Sequence, residues 1–396
     1  MKLDHLTEPP SPSRASTRPS ADHPALVGVR VLHVVTRYLR GGSEKRIGDI
    51  VRSLPEGEHH VAVGGGSDLD LAKCELPEAR IIPVPSLVRE IDPIRDVQTV
   101  IRLVRLVRSI DADLVVTHQS KGGVAGRVAA WAAARPAVHS LSMASFGPGY
   151  PPWQDRIFRV IERRLAVVTS RFVASGEDLR RRFVALGVAP RKVRVVRSGL
   201  ALPGDGEIRG PRERPMLLYL GSLDERKNVL ALVPFLERVC ERTSVRPRLV
   251  VAGEGPLAPR LLVEIRRAGL ELDVEMLGFV PDPYELIRRA SSMVLLSLAE
   301  GLPQVLVQAA AVGTPFVSYD VDGARELVAL GARGSIVPVG DVDGAAEAAA
   351  AVLRDPWRPP SIDVDPWRPE PILAAHRAVL LEALGSPHLA PRRVGV

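Results

Sequence analysis

From residue 30 to residue 342 the chain repeats one theme: a short apolar run, a loop rich in glycine or charge, then a stretch with helical spacing. Strands that alternate with helices in this way build parallel sheets, because a parallel crossover needs a connection of helix length. The runs at 30–35, 61–63, 113–117, 137–141 and 192–196 fall in one half. Those at 216–220, 249–252, 273–277, 293–297 and 316–319 fall in the other. A segment dominated by Pro, Gly and charge at 201–214 separates them and reads as a linker. The expectation is an α/β protein of two doubly wound parallel sheets. Residues 1–24 form a Pro- and Ser-rich leader, 25–200 a first domain, 215–360 a second, and 361–396 a C-terminal segment with a last helix at 371–384.

The stretch 291–320 carries the strongest local signal. It reads as strand, acidic corner, short helix, strand. Pro303 sits where a first helical turn tolerates a missing N–H, and Gly313 sits where a helix stops. Glu300 and Gly301 then lie at the carboxyl end of a strand, just before a helix N-terminus. Ligands of open α/β sheets bind at such places, and the helix end offers free N–H groups to an anion.

Other strand ends offer weaker candidates. Gly41 and Gly42 lie between the first strand and a helix that presents Ile47, Ile50, Val51 and Leu54; they form either a ligand cradle or an ordinary tight turn. Gly64, Gly65 and Gly66 read as a loop without a following helix. His118 ends a strand, where it can hydrogen-bond a substrate hydroxyl, carry a proton, or pack beneath a loop. Arg226 and Lys227 stand at the mouth of a strand–loop–helix unit, where they can clamp a diphosphate, and Asn228 is placed to cap the helix. Residues 94–108 repeat apolar side chains at Val97, Val100, Ile101, Val104 and Val107, with Arg residues largely elsewhere. Such a helix packs on a sheet or lies on an anionic membrane. DPWRP occurs twice, at 355–359 and 365–369, too closely spaced for a repeat architecture.

Charge is uneven along the chain. Residues 25–200 hold 28 Lys and Arg against 17 Asp and Glu, whereas 201–396 hold 22 against 26. The basic half fits an anionic partner or simply Arg-rich solvated helices. Cys74 and Cys240 are far apart and in no metal or redox spacing, which fits a reducing compartment. The N-terminus lacks a signal-peptide core, and no apolar run reaches membrane-spanning length. A cytoplasmic protein is expected, with peripheral contact to the inner face of the membrane as an added option and no nucleic-acid partner.

Taken in order, the segments Gly41-Gly42, VVTHQSKGGVAGR, LYLGSLDERKN, VAGEGP, GFVPDPYELIRRASSMVLLS, EGLPQVLVQAAAVGTPFVSYD and DGARELV resemble family four of the retaining glycosyltransferases. The likeness spans about residues 28–345. It implies the GT-B fold, two facing Rossmann-like domains, with a nucleotide-sugar donor held mainly by the second and a hydroxyl acceptor of unknown class. By position, Lys227 matches the cation on the donor diphosphate, with Arg226, Gly221 and Ser222 beside it. Phe279 and Val280 fall in the loop for the base. Glu300 matches the first Glu of the E-x7-E motif, while Gly301, Leu302 and Pro303 offer backbone to sugar and phosphate. Gly41 and Gly42 match the first-domain loop over the diphosphate. The resemblance implies attack on the face the phosphate leaves, no protein nucleophile, no metal ion and no cofactor beyond the donor itself.

Three positions depart from the family pattern. Ser222 stands for an Arg, Gln308 for the second Glu of E-x7-E, and Ser142-Met143 for a His-Gly; Arg226 for the first, and His118 or His139 for the last, are the available substitutes. The competing readings are a degenerate relative acting as a non-catalytic subunit or membrane-associated scaffold, and an epimerase working on a nucleotide sugar alone.

Overall fold

A computed structural model describes residues 28–39, 42–147, 150–200, 214–355 and 361–386. The first domain contains β1 (Arg30–Val35), α1 (Gly42–Arg52), β2 (Glu58–Gly64), α2 (Leu69–Glu75), β3 (Ala79–Val84) and α3 (Pro93–Ser109). It continues through β4 (Leu114–His118), α4 (Ser120–Ala132), β5 (Ala137–Leu141), α5 (Pro152–Val168), β6 (Arg171–Ala174), α6 (Glu177–Ala185) and β7 (Val193–Val195). The second contains β8 (Met216–Leu220), α7 (Leu232–Arg242), β9 (Arg248–Ala252), α8 (Ala258–Arg267), β10 (Val274–Gly278), α9 (Tyr284–Arg289) and β11 (Ser292–Leu295). Then come α10 (Gln304–Ala311), β12 (Phe316–Tyr319), α11 (Ala324–Ala329), β13 (Gly334–Val337) and α12 (Val342–Arg354). A last helix, α13 (Pro369–Leu384), follows.

Every strand pairing given for the two sheets is parallel, in the orders β3-β2-β1-β4-β5-β6-β7 and β10-β9-β8-β11-β12-β13. Central strands such as β4, β5 and β12 are buried along their whole length, as expected where helices cover both faces of a parallel sheet. The α/β GT-B architecture expected from the sequence is the one observed.

Three local expectations are corrected, and the last helix takes an unforeseen place. A helix, α2, does follow Gly64–Gly66, started by Asp68, whose carboxylate accepts the Leu71 N–H at 2.9 Å. Asn228 does not cap its helix. It takes a left-handed conformation (φ 52°) and its amide donates to the Leu296 carbonyl at 3.2 Å. On α3 the buried residues are Thr99, Leu103 and Val107, while Val97 and Ile101 are 60% and 46% exposed. Leu103 and Thr99 centre the inner face, with Val100 and Val104 at its margin, and so turn Val97 and Ile101 outward. Finally, α13 returns to the first domain. Ile372, Val379, Leu380 and Ala383 join Val31, Leu114, Val116 and Val138 in one core cluster.

The return is pinned on the way. The Leu200 N–H donates to the Trp367 carbonyl at 2.9 Å, and the Arg197 guanidinium stacks 4.6 Å from the centre of the fully buried Trp367 ring. The second DPWRP copy thus supplies a structural plug; the first lies mostly outside the described residues.

Candidate active site

Each sheet order reverses once, between β1 and β4 in the first domain and between β8 and β11 in the second. Ligand crevices of open α/β sheets form at such reversals, beyond the carboxyl ends of the strands. A cleft lies between the carboxyl edges of the two sheets. Its walls include Met143, Phe146, Tyr150 and Arg182 from the first domain and Glu300 and Asp322 from the second.

The second-domain reversal is bridged by charge. Lys227 Nζ donates to Glu300 Oε1 at 2.7 Å, and Arg226 Nη1 donates to Glu300 Oε2 at 3.2 Å and to the Ala299 carbonyl at 3.1 Å. The backbone reinforces the link through the Leu298 N–H, which donates to the Arg226 carbonyl at 2.9 Å. Burial pushes the Glu300 carboxyl up, but Lys227 and Arg226 together outweigh it and hold it below the ordinary carboxylate range. Two cations therefore share one carboxylate at the mouth of the crevice. Arg226 brings to this corner the guanidinium that Ser222 lacks. Ser222 itself is exposed and donates to Asp224 Oδ2 at 2.7 Å, while Asp224 Oδ1 accepts the Lys227 N–H at 2.9 Å.

The corner is packed too closely for side chains. A Cβ on Gly253 would lie 1.8 Å from the Gly221 carbonyl oxygen. One on Gly301 would lie 1.8 Å from the Ser142 carbonyl oxygen, so the two domains touch there. Gly301, Leu302 and Pro303 are all buried, and Pro303 caps α10 with its carbonyl, which accepts the Leu306 and Val307 N–H groups. Phe279 is 46% exposed and Val280 half-buried, just past the end of β10. Gly221 opens the loop after β8, whereas Gly41 lies outside the described residues and Gly42 is the first residue of α1.

Gln308 is half-buried on α10 and hydrogen-bonds the phenol of Tyr284, a group that burial pushes up to about 12. A carboxylate makes roughly twice as strong a hydrogen bond to a hydroxyl as an amide does. Gln308→Glu is therefore expected to tighten nucleotide binding about 5-fold, worth about 1 kcal/mol. Titration calorimetry with a panel of nucleoside diphosphates checks this, and an unchanged affinity would place Gln308 away from the nucleotide.

The histidines occupy another place than expected. His118 is 3% exposed, and burial, then Arg46, pushes its pKa down to about 3. Its Nε2 lies 3.3 Å from His33 Nδ1, His33 Nε2 lies 3.0 Å from His59 Nδ1, and His59 Nε2 lies 2.9 Å from the Leu54 carbonyl. Because that carbonyl only accepts, each neutral ring in turn donates from Nε2 and accepts at Nδ1. His139 is 2% exposed beneath α4, where a Cβ on Gly123 would come within 2.4 Å of its ring, and its Nδ1 is 2.9 Å from Thr117 Oγ1. Neither ring faces the cleft. This corrects the catalytic expectation for His118 and the substitute role of either residue for the missing His-Gly. The place along the strand was read rightly, but the side chain points into the helix layer.

Several cleft residues carried no signal in the sequence. Arg182, read only as part of a helix, pairs with Asp322 across the cleft at 2.5 Å and donates to the Phe146 carbonyl at 3.3 Å. Burial raises the Asp322 carboxyl despite Arg182. Glu326 accepts the Glu177 N–H at 2.9 Å and pairs with Arg197, and Asp178 accepts the Gly323 N–H at 2.9 Å, so the domains are latched along this edge. Gln119 was equally silent. It holds φ 60° and ψ 173°, a region that costs a residue other than glycine about 1–3 kcal/mol.

Two Rossmann-like domains that face each other across a cleft make up the GT-B architecture, here with paired cations at one switch point. Residues 41–199 match the glycosyl transferase 4-like domain model, and residues 206–362 match the model of glycosyl transferases group 1. The chain therefore belongs to the GT-B glycosyltransferases of the family-four type. It is 26% identical over 69% of its length to the Escherichia coli UDP-Gal:alpha-D-GlcNAc-diphosphoundecaprenol alpha-1,3-galactosyltransferase, covering 74% of that protein. It is 30% identical over 62% of its length to the D-inositol 3-phosphate glycosyltransferase of Kribbella flavida, covering 63% of that protein. Among solved structures, Anabaena Alr3699/HepE in complex with UDP and glucose matches with a TM-score of 0.63 over 90% of this chain and 95% of that one, at 17% identity.

Proposed function

We propose that the protein transfers a sugar from a UDP-sugar to a hydroxyl acceptor with retention at the anomeric carbon, without a metal ion. The observation that carries the reading is the Lys227–Glu300–Arg226 bridge at the second switch point, open to the interdomain cleft. As the bond from the anomeric carbon to the diphosphate oxygen breaks, negative charge grows on the leaving group. Lys227 and Arg226 are placed to stabilise it. The acceptor oxygen bonds to the same face, and its proton passes to the departing phosphate. Glu300, held ionised, accepts hydrogen bonds from donor hydroxyls. The complex of Anabaena HepE with UDP and glucose supports the choice of UDP. The test is a panel of UDP-, GDP- and dTDP-sugars. Donor hydrolysis with UDP-sugars is expected, and neither binding nor hydrolysis with any of the panel would sink the reading.

The acceptor we favour is lipid-linked, met at an anionic membrane surface in the course of glycan assembly. The Escherichia coli relative is named for a diphosphoundecaprenol acceptor. In this chain, Ile94, Val97 and Ile101 line the outer side of α3, and Trp153, Ile157 and Val160 line that of α5, with exposed Arg105, Arg156 and Arg164 among them. Apolar stripes interleaved with Arg suit insertion among acidic headgroups. No helix among the described residues is long and apolar enough to cross a membrane. Co-sedimentation with phosphatidylglycerol vesicles but not with phosphatidylcholine vesicles is expected, and Ile94→Asp/Ile157→Asp should abolish it. Absence of binding to the anionic vesicles would remove the peripheral-membrane part of the proposal.

A further inference from the structure

The first-domain crevice, between the loop after β1 and the start of α4, is spanned by the side chain of Gln119 and, beside it, that of Thr36. Gln119 Oε1 accepts the Arg37 N–H at 3.0 Å, and Gln119 Nε2 donates to the Arg37 carbonyl at 2.9 Å. Both polar ends of one amide are thus spent on the backbone of a single residue across the topological switch point. The geometry has a cost, since Gln119 must hold a backbone conformation in which only glycine is at ease. Its own helix gains no cap from it, for the side chain makes no hydrogen bond to the first turn of α4.

The surroundings tie this clamp to the cleft. The Gly122 N–H donates to Thr36 Oγ1 at 2.7 Å, so the first turn of α4 grips the residue before Arg37 as well. Ser120 Oγ lies 2.7 Å from Ser145 Oγ, within the loop whose Ala144 and Phe146 form the cleft wall. The second domain bridges its switch point with ions, whereas the first bridges its own with an amide.

We propose that Gln119 is a positioning residue that fixes the backbone of Arg37, just after β1, at the topological switch point of the first sheet. The strained backbone is what brings the amide within reach of both Arg37 groups. This role rests on the glycosyltransferase reading of the cleft for its effect on turnover, but not for the clamp itself. In Gln119→Gly the strain and the clamp disappear together, so a purely structural residue and a positioning residue behave differently.

The experiment compares wild type, Gln119→Gly and Gln119→Glu by amide hydrogen exchange, denaturant unfolding and UDP-sugar hydrolysis. For Gln119→Gly, exchange at the Arg37 amide should be about 10-fold faster while the unfolding midpoint stays level or rises. Its kcat should fall by at least about 10-fold with the donor KM little changed. Gln119→Glu keeps the acceptor for the Arg37 N–H but loses the donor for its carbonyl, so its exchange and kcat should fall between the two. Wild-type exchange at Arg37 in Gln119→Gly overturns the clamp, and wild-type kcat overturns its role in turnover. If wild-type protein hydrolyses no donor, the functional reading fails, and the exchange arm still decides the clamp.

Discussion

Lys227→Ala is expected to lower donor turnover by about 100-fold or more, on the scale of losing one preorganised group that faces developing negative charge. The same change should lower the melting temperature by only a few degrees. Removing one partner of a buried ion pair is usually severe, because it strands the other charge. Here Glu300 keeps Arg226 at 3.2 Å, and its carboxylate borders an open cleft from which water can reach it. A loss of about 1–2 kcal/mol of stability is therefore expected, against at least about 2.7 kcal/mol in the barrier. Measuring kcat for UDP-sugar hydrolysis beside the thermal midpoint separates the two. A fall in stability that accounts for the whole loss of activity would make Lys227 a structural residue.

The second large effect is on stability as pH falls. Burial lowers the pKa of His33, His118, His139 and His376 below the ordinary value, with His118 reaching about 3. The unfolded chain binds protons on these rings near pH 6.5 while the folded chain does not. Unfolding is thus favoured by protonation, so stability is fully present above pH 6.5 and is lost as pH falls through the window below it. Each such ring contributes up to about 1.4 kcal/mol per pH unit until its folded pKa is reached. Denaturant midpoints at pH 7.5, 6.0 and 5.0 should fall steeply, well above the range in which Glu300 or the other lowered carboxylates titrate. A flat midpoint between pH 7.5 and 5.0 would mean that the rings are not buried as neutral groups.

Strands and their carboxyl ends were legible where a run such as 316–319 is largely apolar and bounded by breakers, but β3, β6 and β13, short or interrupted by Arg80, Pro83, Arg171 and Ser335, were not. The sequence could not say which way His118 points. In a parallel strand buried on both faces the apolar–polar alternation that would reveal the side is missing. The Glu300 corner was legible because its elements lie within one short stretch and its cationic partners announce themselves at another strand end. Gln119 was not, for nothing in a glutamine signals a glycine-like backbone. Arg182 and Asp322 were hidden for a different reason: each looks like a solvated charge until the second domain is set against the first. The return of α13 depends on contacts between residues more than two hundred positions apart, which no local pattern encodes.

That return bears on the order in which the protein is made. The helix layer over β1, β4 and β5 stays incomplete until Ile372, Val379, Leu380 and Ala383 have been synthesised. Ile372, Val379 and Leu380 each contribute roughly 1.5–3 kcal/mol when buried. On the ribosome, the domain begun first is therefore the one finished last. Its sheet keeps an apolar flank uncovered while the second domain is still emerging, and closes only when the chain turns back.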